Sequence, residues 1–194
     1  MTETNLSKIH QQNATTICQD IELDQPATAL LQGNPTSALF IHQLVEQRLY
    51  PDAVRFLAHA LPKREATWWA CLCARNSLTD NAPANEIKAI ELAEAWVYKP
   101  TEENRKLTLP AAEATGFKTA ASWAAVAAFW SGDNISPVTQ AIVPPDEKLF
   151  SKAVVGAVML AAAQGEASKV NDNYQLFLQQ GINIAGGGDG RTIQ

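Results

Sequence analysis

Cysteine is scarce in this chain: Cys18, Cys71 and Cys73 are the only three in 194 residues. An odd number, with two of them inside one apolar segment, excludes a disulfide framework and reads as reduced thiols buried as small hydrophobes in a cytoplasmic protein. Long apolar runs are missing as well. Trp123 to Trp130 and Ala153 to Ala163 are the longest, far short of the ~20 residues that span a bilayer, so no membrane partner is expected. The amino end, MTETNLSKIHQQNATT, is polar and lacks an apolar h-region, so no secretion signal is expected. Positive charge is short too. With 15 Lys and Arg against 20 Asp and Glu, the net charge is −5, which argues against a nucleic-acid partner.

The motifs that carry chemistry are absent in the same way. His10 lies in the polar amino-terminal stretch, while His42 and His59 fall on different expected helices with no HExxH spacing, so they read as surface or half-buried side chains rather than metal ligands. Cys71 and Cys73, two apart on a helix, point about 200° away from each other and cannot share a metal ion or form a disulfide. Gly186-Gly187-Gly188 follows a helix rather than a strand and carries no lysine, which makes it a flexible run and not a phosphate loop. No serine has a G-x-S-x-G setting, leaving nucleophilic catalysis unsupported. No catalytic, cofactor-binding or metal residue is therefore assigned, and a non-enzyme without cofactor is expected.

What is present is tryptophan and alanine at helical spacing. In Pro62 to Leu78, Ala66, Trp69, Ala70 and Cys73 form one apolar stripe, and Trp68, Cys71 and Leu72 a second one roughly opposite. A helix apolar on both sides is sandwiched between neighbours, so this one is expected at the centre. Around it, Asn34-Pro35, Pro51-Asp52, Pro83, Thr101 and Pro145 read as helix starts. Pro110 reads as the start of a short helical piece closed by Gly116. Lys118 to Ser131 and the segment after Pro145 are further core helices, and Ser136 to Pro145 a connector. Ser168 is expected to cap a last helix stopped by Gly181.

The fold class that follows is all-α, a compact multi-helix domain of antiparallel helix pairs over residues 26–185. Residues 1–25 are expected as a flexible arm with a docked segment near Ile17 to Leu23, and 186–194 as a disordered tail. LPKREAT at Leu61 to Thr67 and LPAAEAT at Leu109 to Thr115 make a decayed repeat and a solenoid-like stack one option, coincidence the other. Trp68, Trp69, Trp96, Trp123 and Trp130 are expected to pack the core; a surplus ring would mark an apolar groove for a partner.

Leu61 to Arg75, Ala95 to Arg105, Ala121 to Pro137, Val143 to Pro145, Lys152 to Ala162 and Tyr174 to Ala185 together resemble a bacterial family of unknown function whose members are often encoded among type VI secretion genes. The resemblance implies a cytoplasmic helical accessory protein and transfers no catalytic residue. The expected function is thus a non-enzymatic interaction module, an adaptor or chaperone whose protein partner is a secreted effector or spike component. The competing readings are an enzyme or toxin whose site assembles only in the fold, and a small-molecule binder with a Trp-lined pocket. Oligomeric state stays open.

Overall fold

Prolines and small polar caps divide the chain into helices largely where the sequence puts them. The computed structural model describes residues 5–134 and 143–191. Among these, ten α-helices run in order: α1 Ala14–Cys18, α2 Gln25–Ala29, α3 Ser37–Glu46, α4 Tyr50–Ala60, α5 Lys63–Ser77, α6 Ala84–Tyr98, α7 Glu102–Ala114, α8 Ala120–Trp130, α9 Glu147–Ala163 and α10 Val170–Ala185. No strand is found among the described residues, only an isolated bridge between Asn13 and Thr36. The fold is all-α. Thr101 accepts a hydrogen bond from the Asn104 N–H, and Thr119 and Ser122 form a reciprocal capping box at the start of α8. Each cap satisfies backbone donors that the first helical turn leaves unpaired.

The centre of the molecule is α8 rather than α5. All of α8 except Trp123 and Trp130 is buried, and it packs against α5, α6, α7 and α9. Its run of alanines explains this, because thin side chains let four neighbours approach one rod. The second layer is α5, which contacts α6, α8, α9 and α10 and contributes Trp69, fully buried. As its two apolar stripes require, Cys71 and Cys73 are both buried as well.

Several boundaries differ from the sequence reading, each for a local reason. Asn34 adopts a left-handed φ of 53°, so α3 is capped by Thr36, whose hydroxyl accepts from the Leu39 N–H. Pro110 lies inside α7 instead of opening a new helix. It removes one backbone donor there, while Ala111 and Ala112 beyond it are buried in a helix that packs against both α6 and α8. A short 3-10 turn, Ala167–Lys169, replaces the expected Ser168 cap. Gly181 does not stop α10, which continues to Ala185. A Cβ at that position would lie 2.9 Å from the Trp69 ring, so the glycine serves close approach rather than termination.

The LPKREAT and LPAAEAT segments lie at opposite ends of their helices, the first at the start of α5 and the second at the end of α7, which removes the basis for a repeat. Most of the Ser136 to Pro145 connector lies outside the described residues.

The described residues on either side of the main helices are docked where the sequence alone suggests freedom. Leu6, Ile9, Ala14 and Cys18 are buried in the same core as the helices, and the N–H of Ser37 donates to Gln12 while that of Ala14 donates to Pro35. At the other end, the Lys8 N–H donates to the Ala185 carbonyl and the Ser7 hydroxyl to that of Gly186. The amino-terminal segment thereby ties down the end of α10.

Candidate functional site

Arg64 and Trp68 are four residues apart in α5, hence on one face of that helix. Tyr98, the last residue of α6, completes an aromatic pair with Trp68, ring centroids 5.8 Å apart. Neither ring is sealed in the core: Trp68 is half-buried, and Tyr98 is 64 % exposed. The glycine-rich segment after α10 folds back as the opposite wall. Its Gly190 donates to the Asn183 side-chain oxygen and has a φ of 73° with Leu72 and Ile184 packed where a side chain would begin, so only glycine fits. This turn presents the Asp189 carbonyl to the Trp68 indole N–H at 2.7 Å. It also sets the Arg191 guanidinium 5.8 Å from the Trp68 ring centroid. Together with Lys8 and Glu65, these residues line a groove of about 350 Å³.

The groove is cationic on an acidic protein. Lys8, Arg64 and Arg191 face it against Glu65 and Asp189. Both acids already have partners: Glu65 pairs with Lys8 at 3.4 Å, and the Asp189 carboxylate accepts from the Arg191 N–H at 2.9 Å. Among the described residues Arg64 uses only its Nε, which donates to the Val97 carbonyl at 2.6 Å. Its two terminal nitrogens, and the guanidinium edge of Arg191, keep their donors for something else. The sequence reading missed this site because the GGGDGR run has no periodicity of its own, although the Arg64–Trp68 spacing was visible.

The histidines and cysteines divide differently from one another. His42 pairs with Glu46 on the surface and His10 is exposed. His59 lines a separate cleft of about 470 Å³ with Gln19, Asp20, Glu22, Arg55, Lys148 and Lys152. Its Nδ1 lies 2.8 Å from the Arg55 carbonyl, which can only accept, so Nδ1 carries the hydrogen and Nε2 the lone pair. Asp20 is engaged with Lys148 at 2.8 Å rather than with the imidazole, and Asp52 beneath the cleft holds Arg55 at 2.8 Å. The cleft is therefore charge-balanced, and no Ser, Thr, Cys or Tyr lines it among the described residues. Burial, with a lesser effect of Asp52, pushes the Cys18 thiol up to about 12. Burial likewise raises Cys71 and Cys73, leaving all three as thiols rather than nucleophilic thiolates.

Burial holds the His59 pKa below its ordinary 6.5. The unfolded chain then binds a proton that the folded chain refuses, so stability is full above that value and declines as pH falls through it. The urea midpoint is expected to drop between about pH 7.5 and pH 5.5, and to drop less in His59→Gln. An equal drop in both proteins would remove His59 from the account. The Asp20 and Glu102 carboxyls, lowered by Lys148 and Arg105 respectively, lose their contributions only at more acid pH.

The remaining tryptophans are mostly packing. Trp96 is buried, and Trp123 and Trp130 meet edge to face with centroids 6.3 Å apart. Trp123 also covers Gly156 on α9, where a Cβ would sit 3.5 Å from the indole. Among the described residues no group of His, Cys, Asp and Glu could hold a metal ion, and no helix is long and apolar enough to cross a membrane.

A family model described as a family of unknown function (DUF6931) matches residues 40–185. That span takes in Arg64, Trp68 and Tyr98 but not Lys8 or the turn that carries Asp189 and Arg191. Comparison with curated proteins and with solved structures finds no match.

Proposed function

The chain belongs to that family of unknown function, and from this premise we propose that it acts as a non-enzymatic protein-interaction module whose docking surface is the groove between Trp68, Tyr98 and the carboxyl-terminal turn. The observation that carries the reading is the exposure of Tyr98 beside a half-buried Trp68. Among the other described aromatic rings only Phe117, 42 % exposed, is also open to solvent. Tyrosine, tryptophan and arginine are the side chains that most often anchor a protein partner, and here they share one concave surface. The His59 cleft sets a neutral base beside Asp20, which is held by Lys148, and Glu22, with no nucleophilic side chain among the described lining residues, and so offers less to an enzyme reading than the groove offers to a binding one.

In its finer form the proposal is an adaptor or chaperone that holds a type VI secretion effector or spike component in the cytoplasm before export. That part draws on the sequence resemblance alone. The test is a cross-linked pull-down of the full chain from its native host, run beside Tyr98→Ala. Tyr98 is exposed enough that its removal should leave the melting temperature unchanged, and this is measured alongside. A secretion component enriched on the native chain and depleted on Tyr98→Ala is the expected result. Equal recovery on both would sink the groove, and no secretion component on either would sink the finer form.

A further inference from the structure

The groove's unused donors define what it can hold. Each of its carboxylates is occupied, Glu65 by Lys8 and Asp189 by the Arg191 backbone. By contrast, among the described residues Arg64 has committed only Nε, and the Arg191 guanidinium has only the face of Trp68 as its contact. Guanidinium groups pair with carboxylates through two parallel N–H donors. With a chain charge of −5, an arginine-lined groove would otherwise sit against nearby acids, as Arg75 does against Glu94 at 2.6 Å and Arg105 against Glu102 at 2.7 Å. Arg191 lies beside the Trp68 ring and Arg64 donates to the Val97 carbonyl instead.

We propose that this groove binds an acidic peptide segment, a carboxylate of the partner bridging Arg64 and Arg191 while a neighbouring apolar side chain lies on Trp68 and Tyr98. The inference rests on the docking reading above and names its chemistry. Solvent-exposed ion pairs alone contribute only about 0–1 kcal/mol each, so the charge selects and orients while the ring contact supplies the rest of the affinity. A groove of about 350 Å³ accommodates two or three side chains of an extended segment rather than a whole helix. The carboxylate can come from an Asp or Glu side chain or from a chain terminus. Arginine and aromatic rings also stack nucleobases, but the overall negative charge opposes a phosphate backbone.

The test selects a random displayed peptide library on the full-length chain and measures the winners by fluorescence anisotropy. Each winner is synthesised with a free acid and with an amidated end, and oligothymidine serves as a further probe. Expected are winners with Asp or Glu next to Leu, Met or an aromatic residue. Their affinity should fall at least about tenfold in Arg64→Gln and in Arg191→Gln, fall with Tyr98→Ala, and weaken as NaCl rises to about 0.5 M. Loss on amidation assigns the terminal carboxylate, and retention assigns the side chain. Winners lost in Tyr98→Ala but unaffected by either arginine change would overturn the acidic assignment and leave the docking reading standing. Neutral or basic winners, or tighter binding of oligothymidine, would also overturn it. No enrichment at all, or winners indifferent to Tyr98→Ala, would remove both.

Discussion

Trp69→Ala is expected to cost about 3–5 kcal/mol of folding stability, the largest effect of any single truncation in the chain. The indole is wholly buried, and its N–H donates to the Phe177 carbonyl at 2.7 Å. Truncation therefore removes a large apolar area and a buried hydrogen bond at the same seam. The complementary change acts on the partner surface: Gly181→Val would put its Cβ where only 2.9 Å separates the ideal position from the ring, and overpacking of this kind costs about 1–3 kcal/mol. Urea denaturation followed by far-UV circular dichroism measures both. A loss below about 1 kcal/mol for Trp69→Ala would mean that α5 and α10 do not meet through this ring.

The second large effect is expected at Arg105, which is 2 % exposed. Its Nη1 donates to the Phe129 carbonyl at 2.5 Å, its Nη2 to that of Asn134 at 2.8 Å, and its Nε and Nη2 to the two Glu102 oxygens at 2.7 and 2.8 Å. The guanidinium also lies 4.9 Å from the Phe129 ring centroid. One side chain thus satisfies carbonyls at and beyond the end of α8 while neutralising an acid in the first turn of α7. Arg105→Met keeps the stem but orphans the buried Phe129 carbonyl, and the expected loss is about 2–4 kcal/mol. Arg105→Lys should recover little of it, because an ammonium cannot match a planar fork. Full recovery with lysine would show that the charge alone matters. Gly132 belongs to the same arrangement, since a Cβ there would fall 2.5 Å from the Arg105 Nε, a collision that could be relieved only by moving the clamped guanidinium.

The parts of this fold legible in the sequence are those fixed locally. Pro62 and Pro83 directly precede the first residues of α5 and α6, and Thr101 caps α7, because proline and hydroxyl side chains act on the backbone within a turn of themselves. The two apolar stripes of α5 were readable for the same reason. What depended on distant partners was not. Gly181 carries the composition of a helix stop, yet its role is set by a tryptophan 112 positions earlier in the chain. Pro110 breaks a hydrogen-bond ladder in isolation, but packing on two helices carries α7 across it. The amino-terminal arm and the glycine-rich turn have no period to reveal which surface they meet. As a result, only Arg64 and Trp68 of the groove could be placed together, and Tyr98, Lys8 and Arg191 could not.

The indole of Trp68 reaches across 121 positions of chain to the carbonyl of Asp189. A ribosome therefore releases the floor of the binding surface well before its far wall exists. Until the closing turn has emerged, the aromatic pair lacks its second guanidinium, so a partner that needs both can be captured only once Arg191 has left the ribosome.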